Sequence, residues 1–149
     1  MEIKVMINNK EAALQVTADE FLAETLRNYG LLGVRKGCDT TSCGLCTVWL
    51  DGKPTLSCAV LSARVNGRKI TTIEGVEKKA TEFAHLLAGE GADQCGYCSP
   101  GFIMTVLAMK DELKNPTEQE IQHYLTGNLC RCTGYAGQLR AIKKYLESD

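Results

Sequence analysis

Eight cysteines fall into two sets of four, and no other feature of the sequence constrains the chain as strongly. The first set has the spacing C-x4-C-x2-C-x11-C and the second set has C-x2-C-x31-C-x-C. Four thiols are what one tetrahedral zinc ion or one 2Fe-2S cluster requires. We therefore expect two metal centres, held by a first cysteine set of Cys38, Cys43, Cys46 and Cys58 and a second cysteine set of Cys95, Cys98, Cys130 and Cys132.

The expected location of the chain favours metal ligands over disulfides. Its first ten residues alternate like a strand and lack the charged, apolar and cleavage regions of a signal peptide. No stretch approaches the roughly 18 uncharged apolar residues of a membrane span. We expect a cytoplasmic, reducing environment, where clustered cysteines bind metals more often than they form disulfides.

The charge balance argues against two classes of partner. The 17 Lys and Arg residues offset the 18 Asp and Glu residues to a net charge of -1, and the basic residues are scattered along the chain. Nucleic acids and anionic membrane surfaces are recognised by basic patches or polybasic runs. We expect this chain to bind neither.

The first half has the pattern of a small sheet crossed by one helix. Alternating residues over 3–16 predict a hairpin, the Asp51-Gly52 turn predicts a second hairpin over 47–57, and residues 69–73 predict a further strand. A capping box formed by Thr17 and Glu20 predicts a helix over 18–29. This combination indicates a small α+β domain that ends near residue 75.

The second half has helical periodicity instead. Helices are predicted over 82–87, from the Ser99-Pro100 cap to 109, over 121–125 after a capping box of Thr117 and Glu120, and over 137–147. Four short helices predict a compact all-α domain. Because no flexible linker separates the halves, we expect them to pack together.

The spacing of the first set is that of plant-type 2Fe-2S proteins, in which a loop wraps the cluster and the fourth ligand comes from elsewhere. Gly37 and Gly44 permit so close a wrap. Two structural zinc ions remain the alternative, although neither set has two C-x2-C pairs. A Rieske centre would need histidine ligands, and His85 and His123 lie in predicted helices, where we expect them on the surface.

Residues 37–48, 94–101 and 127–135 resemble the signatures of the iron-sulfur subunit of molybdenum hydroxylases, the xanthine dehydrogenase family. The likeness extends from about residue 3 to residue 146 and includes all eight cysteines. It implies a plant-ferredoxin-like β-grasp domain over 1–75, followed by an all-α four-helix domain over 76–149. The chain departs from the family at Thr41, where many members have Gly, and at Gly137-Gln138, where a polar-Ile pair is usual.

The resemblance also implies roles. The first cysteine set would hold the 2Fe-2S cluster nearer FAD, and the second set the cluster beside molybdopterin, which Gln94 and Cys132 would approach by hydrogen bonding. Molybdopterin would belong to a large partner subunit and FAD to a medium one. Single electrons would run from molybdenum through both clusters to FAD, and this chain alone would catalyse nothing.

The substrate of such a complex stays open. Overall likeness favours a xanthine or purine dehydrogenase, and the alternatives are dehydrogenases of aldehydes, carbon monoxide or N-heterocycles, or a stand-alone ferredoxin-like carrier. Among the remaining conspicuous residues, we expect Trp49 and Tyr97 to pack, and Met104 and Met109 to be buried in an apolar helix.

Overall fold

The computed structural model describes residues 1–148, and its first half is a mixed five-stranded sheet. The strand order is β2-β1-β5-β3-β4. Strand β5 pairs parallel with β1, and every other pair is antiparallel. The last strand in the sequence therefore lies at the centre of the sheet. The strands are β1 (Glu2–Ile7), β2 (Lys10–Gln15), β3 (Thr47–Leu50), β4 (Lys53–Leu56) and β5 (Lys69–Thr71).

Both hairpin turns use residues that tolerate the left-handed region, as predicted. Asn8 and Asn9 connect β1 to β2 with φ of 50° and 63°, and Asp51 and Gly52 connect β3 to β4 with φ of 51° and 82°. Positive φ at both central residues is the type I′ geometry that matches the right-handed twist of paired strands.

Helix α1 (Leu22–Asn28) begins four residues later than predicted. The backbone N–H of Thr17 does donate to the Glu20 carboxylate, at 3.3 Å, but the Thr17 hydroxyl donates to Asp19 instead of capping the helix. Phe21 forms a bridge with Leu61 that keeps its backbone extended. The predicted capping box therefore stabilises a turn that precedes the helix.

The second half contains four helices. Helix α4 begins with the predicted capping box, in which Thr117 and Glu120 satisfy each other's backbone N–H groups. Helix α3 begins one residue earlier than predicted, because Cys98 is the N-cap and Ser99 is the first helical residue. Helix α2 begins five residues before the predicted 82. The helices are α2 (Glu77–Gly89), α3 (Ser99–Glu112), α4 (Glu118–Tyr124) and α5 (Ala136–Glu147).

Each half has its own core of buried apolar side chains. Leu26 of α1 and Ile70 of β5 belong to the first core, and Phe83 of α2 and Ile142 of α5 belong to the second. Trp49 of β3 packs against the second core, so side chains of the sheet also stabilise the helical half. Within residues 1–148, no helix has the length and apolar character needed to cross a bilayer.

The two halves are joined by polar contacts and by close backbone packing. The indole N–H of Trp49 donates to the carbonyl of Met104 on α3 at 2.9 Å. Gly101, in the first turn of α3, lies so close to the sheet half that a Cβ there would be 2.3 Å from the carbonyl oxygen of Gly44. The halves therefore pack directly together, as we expected from the absence of a flexible linker in the sequence.

Candidate metal centres

The four thiols of the first cysteine set line one cavity of about 280 Å³. Three of them lie on the irregular loop between α1 and β3, which we call the first loop (residues 37–46), and Cys58 lies on a 3-10 turn after β4. Cys43 and Cys46 are buried, whereas Cys38 and Cys58 are half-buried. The sequence spacing predicted this convergence.

The first loop favours negative charge on the Cys38 sulfur. Hydrogen bonds from the backbone N–H of Ser42, then from the Cys43 thiol and the N–H of Thr40, lower the pKa of Cys38 to about 6. Burial raises the pKa of Cys58 to about 12, and the neighbouring Cys46 thiol adds to this rise. Backbone donors aimed at sulfur are what an anionic thiolate-ligated cluster needs.

Two glycines let the first loop wrap this closely. A Cβ at Gly37 would lie 2.7 Å from the Leu45 side chain and 3.5 Å from the Cys43 sulfur. Gly44 has φ of +76°, and a Cβ there would lie 2.3 Å from the carbonyl oxygen of Gly127. Thr41, where many family members have Gly, also has a positive φ, of 56°. The backbone is therefore left-handed at the position where a glycine is usual.

The second cysteine set comes from two loops of the helical half. Cys95 and Cys98 flank a turn at the N-terminus of α3, in which Gly96 has φ of +70°. Cys130 and Cys132 lie between α4 and α5, in a segment that bends at residues 131–133. This bend brings Cys130 next to Cys98 and Cys132 next to Cys95.

Burial and local hydrogen-bond donors shift the pKa values of the second-set thiols in opposite directions. Burial raises the pKa of Cys98 to about 12, and its neighbour Cys130 contributes. Burial also acts to raise the pKa of Cys130, but a hydrogen bond of 3.2 Å from the Thr133 hydroxyl and nearby backbone donors outweigh it, so that pKa is lowered. The backbone N–H of Tyr97 points at the Cys95 sulfur, at 3.5 Å. Donors from two loops thus surround these sulfurs.

Within each cysteine set, neighbouring thiols lie close enough to interact. Among the thiols, the one that shifts the pKa most is Cys43 for Cys38, Cys46 for Cys58, Cys130 for Cys98 and Cys95 for Cys132, which gives four close pairs. No three His, Cys, Asp or Glu side chains within residues 1–148 are arranged to hold a single metal ion. A 2Fe-2S cluster has two irons that share four thiolates, so two pairs per set fit one such cluster. The pairs are Cys38 with Cys43, Cys46 with Cys58, Cys95 with Cys132 and Cys98 with Cys130.

The remaining residues singled out in the sequence have varied positions. Gln94 is exposed next to Cys95, and Cys95 and Cys132 are the exposed thiols of the second set. His85 and His123 are exposed on α2 and α4, as predicted. Met104 and Met109 are buried, and Trp49 packs against the second core, also as predicted. The exception is Tyr97, which is 48% exposed and belongs to neither core.

Sequence reasoning missed three residues that support the loops. Arg35 donates from its guanidinium to the carbonyl of Gly96 at 2.7 Å, and the hydroxyl of Tyr135 accepts from the N–H of Cys130 at 2.8 Å. Leu129 donates from its N–H to the carbonyl of Cys43 at 2.9 Å. Tyr135 and Leu129 had a signal, because both belong to the segment 127–135 that resembles the family, whereas Arg35 had none. The contacts of Arg35 and Leu129 join residues too distant in sequence for any spacing rule.

The paired thiols, the donor-rich loops and the mixed sheet with its helical half define a 2Fe-2S protein with two centres. Residues 5–88 match the family described as a 2Fe-2S iron-sulfur cluster binding domain, and residues 72–143 match the family described as a [2Fe-2S] binding domain. The chain belongs to the iron-sulfur small subunits of the molybdenum hydroxylases, the xanthine dehydrogenase family. Its function is electron transfer, and the two family matches support 2Fe-2S clusters at both cysteine sets.

Individual relatives resemble the chain over nearly its whole length. It is 36% identical to the nicotinate dehydrogenase small FeS subunit of Eubacterium barkeri, covering 97% of this chain and 94% of the relative. It is 44% identical to the xanthine dehydrogenase iron-sulfur-binding subunit of Escherichia coli O157:H7, covering 89% and 86%. The structure of quinoline 2-oxidoreductase from Pseudomonas putida 86 superposes with a TM-score of 0.90 at 34% identity, covering 98% and 92%.

Proposed function

We propose that this chain relays single electrons from a molybdenum centre on a large molybdopterin-binding subunit to FAD on a medium subunit. The observation that carries the proposal is the presence of two complete four-thiol sites in one chain, in loops that contact each other. Hydroxylation at molybdenum releases two electrons and FAD accepts two, whereas each 2Fe-2S cluster transfers one electron at a time. Two clusters in series suit such a relay.

In this proposal the second cysteine set holds the cluster beside molybdopterin. Two of its thiols, on Cys95 and Cys132, are exposed on one side of the molecule, with Gln94 next to them. An exposed edge lets a partner's cofactor approach without displacing protein. We propose that Gln94 contacts the pterin through its side-chain amide, and that Cys132 does so through its backbone or its sulfur.

The first cysteine set then holds the cluster nearer FAD. Its cavity opens beside Phe21, which is 41% exposed, and its lining includes charged side chains of both signs, such as Arg27 and Glu24. An exposed aromatic ring with a polar rim suits a docking surface for the flavin subunit. A direct link joins the two sets, because the hydrogen bond from Leu129 to Cys43 connects the residue before Cys130 to a residue of the first set.

We also propose the finer description of the fold. The sheet with α1 packed on it is a plant-ferredoxin-like β-grasp domain over 1–75, and α2 to α5 form a four-helix domain over 76–149. The two separate apolar cores support this division. We further propose a cytoplasmic location, since eight free thiols suit a reducing compartment.

Overall likeness favours xanthine or another purine as the substrate of the complex, given 44% identity to a xanthine dehydrogenase subunit. Relatives named for nicotinate and nicotine are 36% and 38% identical, so dehydrogenases of N-heterocycles are the second candidate, with those of aldehydes or carbon monoxide behind them. A stand-alone ferredoxin-like carrier is the alternative outside this class.

Anaerobic purification of the chain from its own cells tests the proposal. We expect about four irons and four acid-labile sulfides per chain, with two distinguishable paramagnetic signals after reduction. A large molybdenum-binding chain and a flavin-binding chain should co-purify, and the oxidised substrate should be identified by turnover of that complex. Two zinc ions without sulfide would contradict the proposal, and loaded clusters without partner chains would favour the stand-alone carrier.

A further inference from the structure

Arg35 and Tyr97 connect the two metal-binding loops by reciprocal contacts. Besides its bond to the Gly96 carbonyl, the Arg35 guanidinium lies over the Tyr97 ring, 5.1 Å from its centroid. In return, the Tyr97 hydroxyl donates to the carbonyl of Lys36 at 2.8 Å. We call this pair of residues the clasp.

The position of the clasp ties it to both cysteine sets. Arg35 lies two residues before the first loop, and its own N–H donates to the carbonyl of Leu45 at the far end of that loop, at 3.3 Å. Gly96 and Tyr97 are the two residues between Cys95 and Cys98. A displacement of either loop therefore stretches contacts that hold the other.

Arginine suits this position better than lysine. Its planar guanidinium can donate to a carbonyl and lie flat on an aromatic ring at the same time, whereas an ammonium is a compact charge without a plane. Arg35 is half-buried, so its charge is only partly screened by solvent. That charge lies against the turn that carries two thiols of the second set, and Arg35 also lines the cavity of the first set.

We propose that the clasp fixes the relative position of the two clusters, and that the charge of Arg35 raises the reduction potentials of both clusters. This inference rests on the proposed function, because it requires both clusters to be present. Arg35 and Tyr97 are positioning residues, since neither is one of the eight cysteines. A positive charge stabilises the reduced, more negative state of a nearby cluster and so raises its potential.

Other contacts keep the two halves together when the clasp is removed. The Trp49 bond to Met104 and the Leu129 bond to Cys43 lie elsewhere in the junction. We therefore expect variants of the clasp to fold and to load both clusters. Their defect should lie in how the clusters interact and, where the charge of Arg35 is removed, in the reduction potentials of the clusters.

The test uses the full chain with both clusters, in four variants. Arg35→Lys keeps the charge and loses the planar contact, and Arg35→Gln also removes the charge. Tyr97→Phe loses the hydroxyl bond, and Tyr97→Leu loses the ring as well. The measurements are the magnetic interaction between the two reduced clusters, by electron paramagnetic resonance, and the reduction potential of each cluster.

All four variants should change the magnetic interaction, with Tyr97→Leu exceeding Tyr97→Phe. Only Arg35→Gln should markedly lower the reduction potentials of the two clusters. The matched controls are Arg68→Gln, which removes an arginine that pairs with Asp51 at a hairpin, and Tyr29→Phe, which alters an exposed tyrosine after α1. Both should match the wild type in both measurements.

The inference is overturned if fully loaded Arg35→Gln and Tyr97→Leu chains keep the magnetic interaction and the reduction potentials of the wild type. It is also overturned if the two control variants show shifts of the same size. If these variants lost the second-set cluster, Arg35→Lys and Tyr97→Phe would decide, because an unchanged interaction in those milder variants also overturns the inference. A wild-type chain without sulfide would instead overturn the proposed function, so the two failures are distinguishable.

Discussion

The backbone N–H of Leu129 donates to the carbonyl of Cys43 at 2.9 Å, so a residue of the first cysteine set is hydrogen-bonded to the neighbour of Cys130. This hydrogen bond joins the first loop directly to the segment that carries Cys130 and Cys132. Its consequence is that the two sets are structurally adjacent, although the bonded residues Cys43 and Leu129 are more than half the chain's length apart in sequence. We nevertheless expect each set to bind its cluster independently of the other.

Replacement of Cys132 by serine should remove one cluster only. Cys132 pairs with Cys95 in the second set, and no thiol of the first set interacts with it directly. We expect Cys132→Ser to reduce the iron content from about four to about two atoms per chain and to abolish one of the two paramagnetic signals. Cys58→Ser is the reciprocal control and should remove the other signal. Loss of both signals in either variant would show that the sets assemble together.

A methyl group at Gly101 should disrupt the junction between the halves. A Cβ there would lie 2.3 Å from the Gly44 carbonyl oxygen and 2.9 Å from the backbone of Leu45, and backbone atoms cannot move aside cheaply. Overpacking of this kind typically costs about 1–3 kcal/mol. We expect Gly101→Ala to lower the free energy of unfolding by that amount, as measured by denaturant titration.

The matched control is Gly89→Ala at the end of α2, where a Cβ would meet nothing within 4 Å. Alanine in a helix is more stable than glycine by about 0.5–1 kcal/mol, so this variant should be unchanged or slightly more stable. If both substitutions had the same effect, the close approach of Gly101 to Gly44 would not explain the result.

Gln138 should be replaceable by an apolar residue with a gain in stability. It is 2% exposed, and its side-chain oxygen is buried without a hydrogen-bond partner in the described part of the chain. An unsatisfied buried polar group costs about 1–3 kcal/mol. We expect Gln138→Met, which keeps the length of the side chain, to raise the free energy of unfolding by about 1 kcal/mol. Gln122→Met, at an exposed position of α4, should leave stability unchanged.

The ion pairs of Glu90 should make part of the stability depend on pH. Hydrogen bonds from Lys144, which has the larger effect, and from Arg140 hold the pKa of Glu90 below its ordinary value of 4.5. The two ion pairs connect the end of α2 to α5. A carboxylate whose pKa is lowered by folding stabilises the protein above pH 4.5, and this stabilisation is lost as the pH falls through the lowered value.

Glu90→Gln should therefore unfold at a lower urea concentration than the wild type at pH 7, and the difference should shrink below pH 4.5. Circular dichroism of both proteins across this range measures it. Glu11→Gln, an exposed carboxylate on β2, is the control and should match the wild type throughout. A difference that grew towards low pH would contradict the assigned ion pairs.

Local sequence rules predicted those features that depend on neighbouring residues. The capping box of Thr117 and Glu120 formed because both partners lie within one helical turn. The equivalent rule misplaced the start of α1, because a competing acceptor at Asp19 and a bridge to the distant Leu61 decided the backbone there. Propensity and capping describe an isolated segment, and tertiary contacts override them.

The same limit applies around the cysteines. Spacing predicted that the first set would converge, since three of its members lie on one loop. It did not reveal that Arg35 reaches Gly96, because those residues are 61 positions apart. It also did not reveal that Gln138 is buried, since a glutamine early in an amphipathic helix is expected at the surface.

The central position of β5 has a consequence for biosynthesis. Residues 69–71 are synthesised after all four cysteines of the first set, yet they separate β1 from β3 in the finished sheet. During translation these thiols leave the ribosome before the strand that joins the two hairpins is available to order them. The sheet that supports this site can therefore be completed only after residue 71 has left the ribosome.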